Sequence, residues 1–403
     1  MKVLFLVLIL FTCVPEFCHA FSIQQGIDFV LSLAQNKPVQ QAFDLILSLT
    51  QNKLSLLENS KFVQQLFDKF KSEYQRTYLN KQEQQQRLEQ FKETLKSLIL
   101  AKVQDLTFQL KLNEFSDWTI DELQTLRGYV PHNDSDRDAP IDKPQPILVD
   151  HRRRSSLSRR RLSLSRRASS LPASFDWTGR VLTSNSAVTV TRPIKNQGQC
   201  GSCYAFATVA VLETVFTLQY PASYDLSEQQ IVDCSKAYGN YGCGGGFFEK
   251  SFDYLKANAW NLDSSSSYPY TANDYSSCKA KNSGVRFAKL AYGIITFGDE
   301  AAMKSYLYNY GPLWISFDAS NPYFNSYASS VYSVSNCGTL ESQTNHAMVI
   351  VGYGTDSSTG LDYWKVKNSW GKSWGEQGFI RVRRGVNMCG IAARAYYIGL
   401  ATS

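Results

Sequence analysis

A thiol, an imidazole and an amide stand in this chain where they could act together. Cys203 follows a run of turn-formers, Asn196-Gln-Gly-Gln-Cys-Gly-Ser202, and opens Cys203-Tyr-Ala-Phe-Ala-Thr-Val-Ala-Val-Leu212, which is apolar on nearly every side. A helix of that composition belongs in a core. Its first turn offers unpaired N–H groups and the positive end of the macrodipole, both of which favour a thiolate over a thiol. The position therefore suits a nucleophile. On these residues alone two other readings stay open, a half-cystine with Cys200 or a Cys-x-x-Cys redox pair. A redox pair calls for a preceding strand in a small βαβ unit, and a zinc site calls for further ligands at short spacing; neither context is present.

A thiolate that attacks an acyl group needs a partner to hold its proton and return it to the leaving amine. His19, His132 and His151 lie in the leader and in a linker, so His346 is the one histidine after Leu171. It opens Ala347-Met-Val-Ile-Val351, a buried-strand pattern closed by Gly352-Tyr-Gly354, and Tyr363 to Asn368 reads as a second strand ending in Asn-Ser-Trp. A hairpin centred near Ser357 would pair residues whose numbers sum to 714 and so set Asn368 opposite His346. The amide would then orient the imidazole.

The elements that must carry these groups are preceded by a long upstream region. Met1 to Ala20 has Lys2, an apolar stretch from Val3 to Val14 and a small-residue exit, the order of a secretory signal peptide. No later segment approaches about 18 uninterrupted apolar residues, so the mature chain is expected to be soluble. Residues 21–60 hold a repeat: Asp28-Phe-Val-Leu-Ser-Leu-Ala-Gln-Asn-Lys37 recurs as Asp44-Leu-Ile-Leu-Ser-Leu-Thr-Gln-Asn-Lys53. Ile27, Val30, Leu31 and Ala34, like Phe43, Ile46, Leu47 and Thr50, have amphipathic helical spacing. Each copy is read as a packing helix, with a sorting or oligomerisation role as the alternative. Phe62, Leu66 and Phe70 predict another helix, and Lys81 to about Leu106 a further one, on which Glu83, Arg87, Phe91, Thr94, Leu98 and Lys102 share a face. Glu83 and Arg87 can pair at i,i+4.

Residues 131–170 lose apolar periodicity and gain Pro, Ser and Arg, the composition of a protease-accessible linker. The linker holds a glycosylation candidate, Asn133-Asp-Ser135, and Arg-Arg-x-Ser ending at Ser156, Ser163 and Ser169. The basic clusters are read as cleavage sites rather than kinase sites, since they follow a signal peptide. Eight arginines between Arg152 and Arg167 also account for most of the formal charge of +7. From Leu171 onward 18 Lys plus Arg face 16 Asp plus Glu, which leaves little footprint for nucleic acid. Once the leader is removed seven cysteines remain, an odd number; in an oxidising compartment six would pair in an order the spacing leaves open, and one would stay free.

Cys200-Gly-Ser-Cys203-Tyr204, with His346 143 residues further on and Asn368 beyond it, closely resembles the signature of the papain-like cysteine proteases. Gln197, Leu226-Ser-Glu-Gln229, Cys243-Gly-Gly-Gly246 and Asn368-Ser-Trp370-Gly are similar to their family counterparts. Glu83, Arg87 and Phe91 resemble the first half of a cathepsin L-type propeptide signature, and Asn113, Phe115 and Asp117 its second motif; Thr94, Leu98, Lys102 and Lys111 depart from it. The resemblance implies an α+β fold of two lobes, one helical around Cys203 and one β-rich around His346 and Asn368, with the cleft between them. It implies an oxyanion hole from the Gln197 side chain and the Cys203 N–H, and Trp370 as a shield over the His346 to Asn368 hydrogen bond. It pairs Cys200 with Cys243, Cys234 with Cys278 and Cys337 with Cys389. It places substrate contacts at Gly245, Gly246, Phe247, Phe248, Trp370 and Arg394.

Arg394, fifth after the last cysteine, would floor the pocket for the side chain two residues before the scissile bond. There it is expected to shorten the pocket and admit an acidic or polar residue, unless it turns to solvent or pairs elsewhere. The whole is expected to be 1–20 signal peptide, 21–60 repeat segment, 61–130 inhibitory propeptide, 131–170 processing linker and 171–403 peptidase. The expected protein is a monomeric cysteine endopeptidase of the secretory pathway, lysosomal or extracellular, that uses no metal or other cofactor. It would act on protein and peptide substrates, be inhibited by its own propeptide, and be activated when acid weakens charge pairing in residues 60–130. The rival readings are a catalytically silent relative and a thiol oxidoreductase using Cys200 and Cys203.

Overall fold

The computed structural model describes residues 37–49, 53–104, 106–132, 144, 171–181, 189–220, 222–275 and 277–401. The signal peptide, the first repeat copy, Asn133 and the arginine-rich segment lie outside the described residues. The chain divides after Ile120 into two compact units.

The first unit is helical: α1 (Val39–Leu49), a short 3-10 turn (Lys53–Glu58), α2 (Ser60–Glu73) and α3 (Lys81–Val103), followed by the short strand β1 (Phe108–Leu110). Asn59 and Asn80 start α2 and α3 by accepting the Phe62 and Glu83 backbone N–H groups, each at 2.9 Å. The apolar stripe of α2, Phe62, Leu66, Phe67 and Phe70, meets Phe91, Leu95 and Leu98 of α3 in one buried cluster. Phe43 and Leu47 of the second repeat copy are buried in the same cluster, so this copy serves packing. The polar members of the α3 face tie down the following loop. Glu83 and Arg87 pair at 3.3 Å, Arg87 donates to the Asp117 carbonyl, and the Thr94 hydroxyl donates to the Ser116 carbonyl at 2.9 Å.

In the second unit α4 (Ile120–Thr125) and an extended segment precede the peptidase lobes. The helical lobe holds α5 (Cys203–Gln219), α6 (Glu228–Cys234) and α7 (Phe248–Ala257). The disulfides Cys200–Cys243 and Cys234–Cys278 tie it together. The sheet lobe is built from β2 (Phe175–Asp176), β5 (Leu290–Ile294), β6 (Leu313–Phe317), β7 (Tyr327–Tyr332), β8 (His346–Thr355), β9 (Asp362–Lys367), β10 (Phe379–Arg383) and β11 (Ala395–Leu400). A separate short pair is β3 (Asn261–Leu262) and β4 (Val285–Arg286), and two further helices are α8 (Glu300–Tyr310) and α9 (Pro322–Asn325). The sheet runs β7-β10-β9-β8-β6-β11-β5, with β2 beside β8. Helix α5 is buried almost all round, as its composition requires, and Cys203, Ala207 and Val211 share a core with Ala347, Val349 and Val351 of β8.

The hairpin differs from its expected register. Val349 faces Lys367 and Ile350 faces Val366, and a bulge then moves Gly352 opposite Lys365, so the pairs sum to 716 and 717 rather than 714. Asn368 lies just beyond β9 and is not directly opposite His346. Strand β8 also continues through its glycines instead of ending at them. A Cβ on Gly352 would stand 2.7 Å from the Phe175 carbonyl oxygen, so the glycine admits β2 alongside.

Candidate active site

Cys203 is the first residue of α5 and the one unpaired cysteine among the described residues, since Cys337–Cys389 completes the pairing. Its N-cap, Ser202, makes no side-chain cap; the Ala205 and Phe206 N–H groups return to the Ser202 carbonyl at 2.9 and 3.1 Å, and those of Cys203 and Tyr204 are left to the sulfur. Backbone groups of Ala347, Gly128, Tyr204 and Cys203 itself hydrogen-bond the sulfur and favour the thiolate, yet burial outweighs them and pushes the thiol up to about 11.

Ala347 follows His346, which opens β8. The His346 Nε2 lies 2.9 Å from Asn368 Oδ1, an oxygen that also accepts the Ser369 backbone N–H at 2.8 Å. An acceptor there assigns the proton to Nε2 and leaves Nδ1 as the basic nitrogen. The Trp370 ring, fully buried, sits 5.0 Å from the imidazole and excludes water from this hydrogen bond. Although the bonding distance matches the sequence reading, the route to it is the side chain's reach past the end of β9.

The cleft is filled by the chain itself. The Gln197 side chain donates to the Leu126 carbonyl at 3.0 Å and to the Cys200 carbonyl at 2.8 Å, and its own oxygen accepts the Ser369 hydroxyl at 2.6 Å. Gly246 donates to the Gly128 carbonyl at 2.8 Å and accepts from Val130 at 3.2 Å, while Tyr129 donates to the Asn345 carbonyl at 3.0 Å. A Cβ on Gly128 would fall 1.7 Å from the Gly201 oxygen, so only glycine passes here. Burial drives the His346 pKa down to about 4, and the Arg127 guanidinium pushes in the same direction. Beneath this segment burial favours the neutral form of both the thiol and the imidazole, and the Cys203 side chain is wholly inaccessible.

Arg394 does not turn to solvent. It is buried, its Nε 2.7 Å from the Tyr396 hydroxyl and 3.4 Å from Glu341 Oε1, and its Nη2 3.3 Å from Glu249 Oε1. Two carboxylates therefore meet one guanidinium, which is the pairing elsewhere that the sequence reading held open as its alternative. Phe247 is half-buried, its ring 5.0 Å from that of His132. Phe248 is enclosed, stacked 4.3 Å from Tyr396 and near Trp314, so it supports those rings instead of forming an open wall. Gly245 and Gly246 are both buried here, and a Cβ on Gly246 would meet Asn240 Oδ1 at 2.5 Å, so no side chain fits between that amide and the extended segment.

Sequence reasoning missed Tyr129, Glu249 and Glu341. Their signal is a buried cluster of polar groups, which follows only from three distant segments converging. It also missed the ion cluster behind Cys203, where the Lys195 ammonium reaches Glu213 at 2.9 Å, Glu228 at 2.6 Å and Asp225 at 2.6 Å. No group of three or more His, Cys, Asp or Glu side chains among the described residues is arranged to hold a metal ion.

Residues 171–398 match the papain family cysteine protease model, and residues 67–123 match the cathepsin propeptide inhibitor domain. The chain is 34% identical to cysteine proteinase 2 of Zea mays over 82% of its length and 83% of that protein. It is 34% identical to pro-cathepsin H of Mus musculus over 82% of its length and 89% of that protein. Among solved structures, digestive procathepsin L2 from Tenebrio molitor larval midgut superposes with a TM-score of 0.67 at 30% identity, covering 84% of this chain and all (100%) of that one. Relatives carry both cathepsin L and cathepsin H names, so the resemblance reaches the family and its proenzyme form rather than one subtype. With a thiol at a helix start, an amide-held imidazole and an inhibitor-type upstream domain, the chain belongs to the papain family of cysteine proteases and is a thiol endopeptidase made as a zymogen.

Proposed function

We propose that peptide hydrolysis by this chain is carried by Cys203, His346, Asn368 and Gln197, and the observation that carries this reading is the 2.9 Å contact of His346 Nε2 with Asn368 Oδ1 beside the Cys203 helix. With the upstream segment gone, His346 Nδ1 takes the thiol proton. The sulfur attacks the scissile carbonyl carbon, and the oxyanion is held by the Gln197 amide and the Cys203 N–H. Gln197 already grips a peptide carbonyl, that of Leu126, which supports this role. Collapse of the adduct breaks the C–N bond, the amine leaves with the proton from His346, and a thioester remains. Water, deprotonated by the same imidazole, releases the acid and returns the thiol.

The remaining parts are assigned in the same spirit. Residues 1–20 are a signal peptide, 21–60 an added helical segment, 61–130 the inhibitory propeptide, 131–170 a processing linker with Asn133 glycosylated, and 171–403 the peptidase. The enzyme acts as a monomer on protein and peptide substrates in a lysosomal or extracellular compartment. The digestive names of the Homarus americanus and Tenebrio molitor relatives support such a setting. No helix of the described residues is long and apolar enough to cross a membrane. The deciding experiment treats acid-processed protein with a thiol-directed epoxide and maps the adduct by mass spectrometry, with Cys203→Ala as control. An adduct at Cys203 with matching loss of peptidase activity is expected; a processed, folded protein that cleaves peptides without an adduct there would remove the assignment.

A further inference from the structure

The side chain of Tyr129 fills a pocket of unusual chemistry. It is only 4% exposed, its ring meets Trp314 edge-on at 5.3 Å, and its hydroxyl donates to Glu341 Oε1 at 2.9 Å. Glu341 is wholly buried (0%) and comes from the turn just before His346. The Arg394 guanidinium beyond it is already shared with Glu249, and the Tyr396 hydroxyl donates to Glu249 in turn. The residue whose side chain enters here is the one bracketed by the Gly246 backbone pair, which would hold an extended peptide in the same place.

We propose that Glu341 is a specificity-determining residue and that this pocket selects a tyrosine side chain of the substrate, with Tyr129 as the occupant that keeps it filled in the zymogen. The inference rests on reading the cleft as the peptidase site. A pocket of aromatic walls accepts any flat ring, but a buried carboxylate lined up at its end loses a partner when the phenol is absent. A phenylalanine therefore buries the same ring but takes the closer of two partners from Glu341 Oε1, leaving it only the Arg394 guanidinium at 3.4 Å. An acidic side chain meets two carboxylates against one guanidinium and is disfavoured. A hydrogen bond to a charged group is worth roughly 1.5–3 kcal/mol, so tyrosine should exceed phenylalanine by about 10- to 100-fold in kcat/KM.

The test is a cleavage-site profile of the acid-processed enzyme on a diverse peptide library, followed by kcat/KM for one matched pair that differs only as Tyr against Phe at the enriched position. The expected result is tyrosine enrichment at a single position near the cleaved bond, and a Tyr-to-Phe ratio that falls to about one in Glu341→Ala. Because the ratio is read within one preparation, a general loss of activity cancels. As a second measure that leaves the peptidase untouched, Tyr129→Phe in the full-length chain should speed the appearance of activity after acidification by several-fold. Equal or better cleavage of phenylalanine, arginine or glutamate at that position, or a ratio unchanged in Glu341→Ala, would overturn the inference while leaving the peptidase reading intact. A processed enzyme that cleaves no member of the library would instead remove the peptidase reading itself.

Discussion

At the scale of single residues the site is a set of preorganised partners whose effects can be separated. Gln197 is locked by Ser369 on its oxygen and by carbonyls on its nitrogen, so its amide N–H groups are aimed before substrate arrives. Gln197→Ala should lower kcat by about 10²- to 10³-fold, the loss expected for one oxyanion donor, while Cys203 still forms the epoxide adduct. Steady-state kinetics beside adduct mass would check it; an equal loss of adduct would mean that Gln197 instead maintains the thiol. The proposed roles were legible in the sequence because each candidate group sits in a short local pattern. Cys203 follows a turn-rich loop and starts an apolar run, and His346 is the one histidine of the peptidase region.

At the scale of elements, stability rests on how helices and strands bury charge. Lys195 stands ahead of the Cys203 helix and holds Glu213 of α5 and Glu228 of α6, both nearly inaccessible. Burial drives Glu228 up to about 7 against the pull of Lys195, so its charge is expensive to keep there. Lys195→Met should cost about 3–5 kcal/mol of stability by stranding these carboxylates, and adding Glu213→Gln and Glu228→Gln should restore much of it. Urea unfolding of the three proteins would decide, and a lone Lys195→Met as stable as the parent would refute the argument. In the upstream unit Phe91 packs against Phe67 and Phe70 at 5.4 and 4.9 Å. Phe91→Ala should cost roughly 3–5 kcal/mol there, seen as an earlier thermal transition of the full-length chain.

At the scale of the whole molecule latency is an electrostatic state as well as a steric one. His346 has a lowered pKa of about 4 in the covered site against an ordinary 6.5, so uncovering the site takes up a proton. The covering contact is then fully favoured above about pH 6.5 and weakens as pH falls toward 4, a span worth at most about 3 kcal/mol because Trp370 still buries one side of the ring once the segment leaves. Glu249 acts in the same direction: burial alone would raise it, but His132, Tyr396 and Arg394 hold it below its usual value, so its support fades as pH falls through the carboxylate range. Asp117 does not, since burial raises it despite Arg76 and Tyr78, and acid does not remove its contribution. The acid response is thereby expected at the segment over the cleft. Alkylation of Cys203 in the intact full-length chain should accelerate as pH falls from about 7.5 to about 4.5, opposite to a simple thiol. A rate that only declines over that range would sink this account.

The sequence by itself pointed to Cys203 and His346 as the reacting pair and to the helices of the upstream unit, because each is written in nearby residues, in periodicity, or in the uniqueness of one residue type. The disulfide pairs came from family resemblance and stand as expected in the structure. Only the tertiary structure decided the rest. The β8–β9 register turned on a bulge between Ile350 and Gly352, a backbone irregularity that alternating hydrophobicity does not encode. The character of the Arg394 pocket turned on Glu249 and Glu341, residues 145 and 53 positions away in the chain. A charge read from sequence has a sign but no partners, and burial among partners is what sets the preference of a pocket.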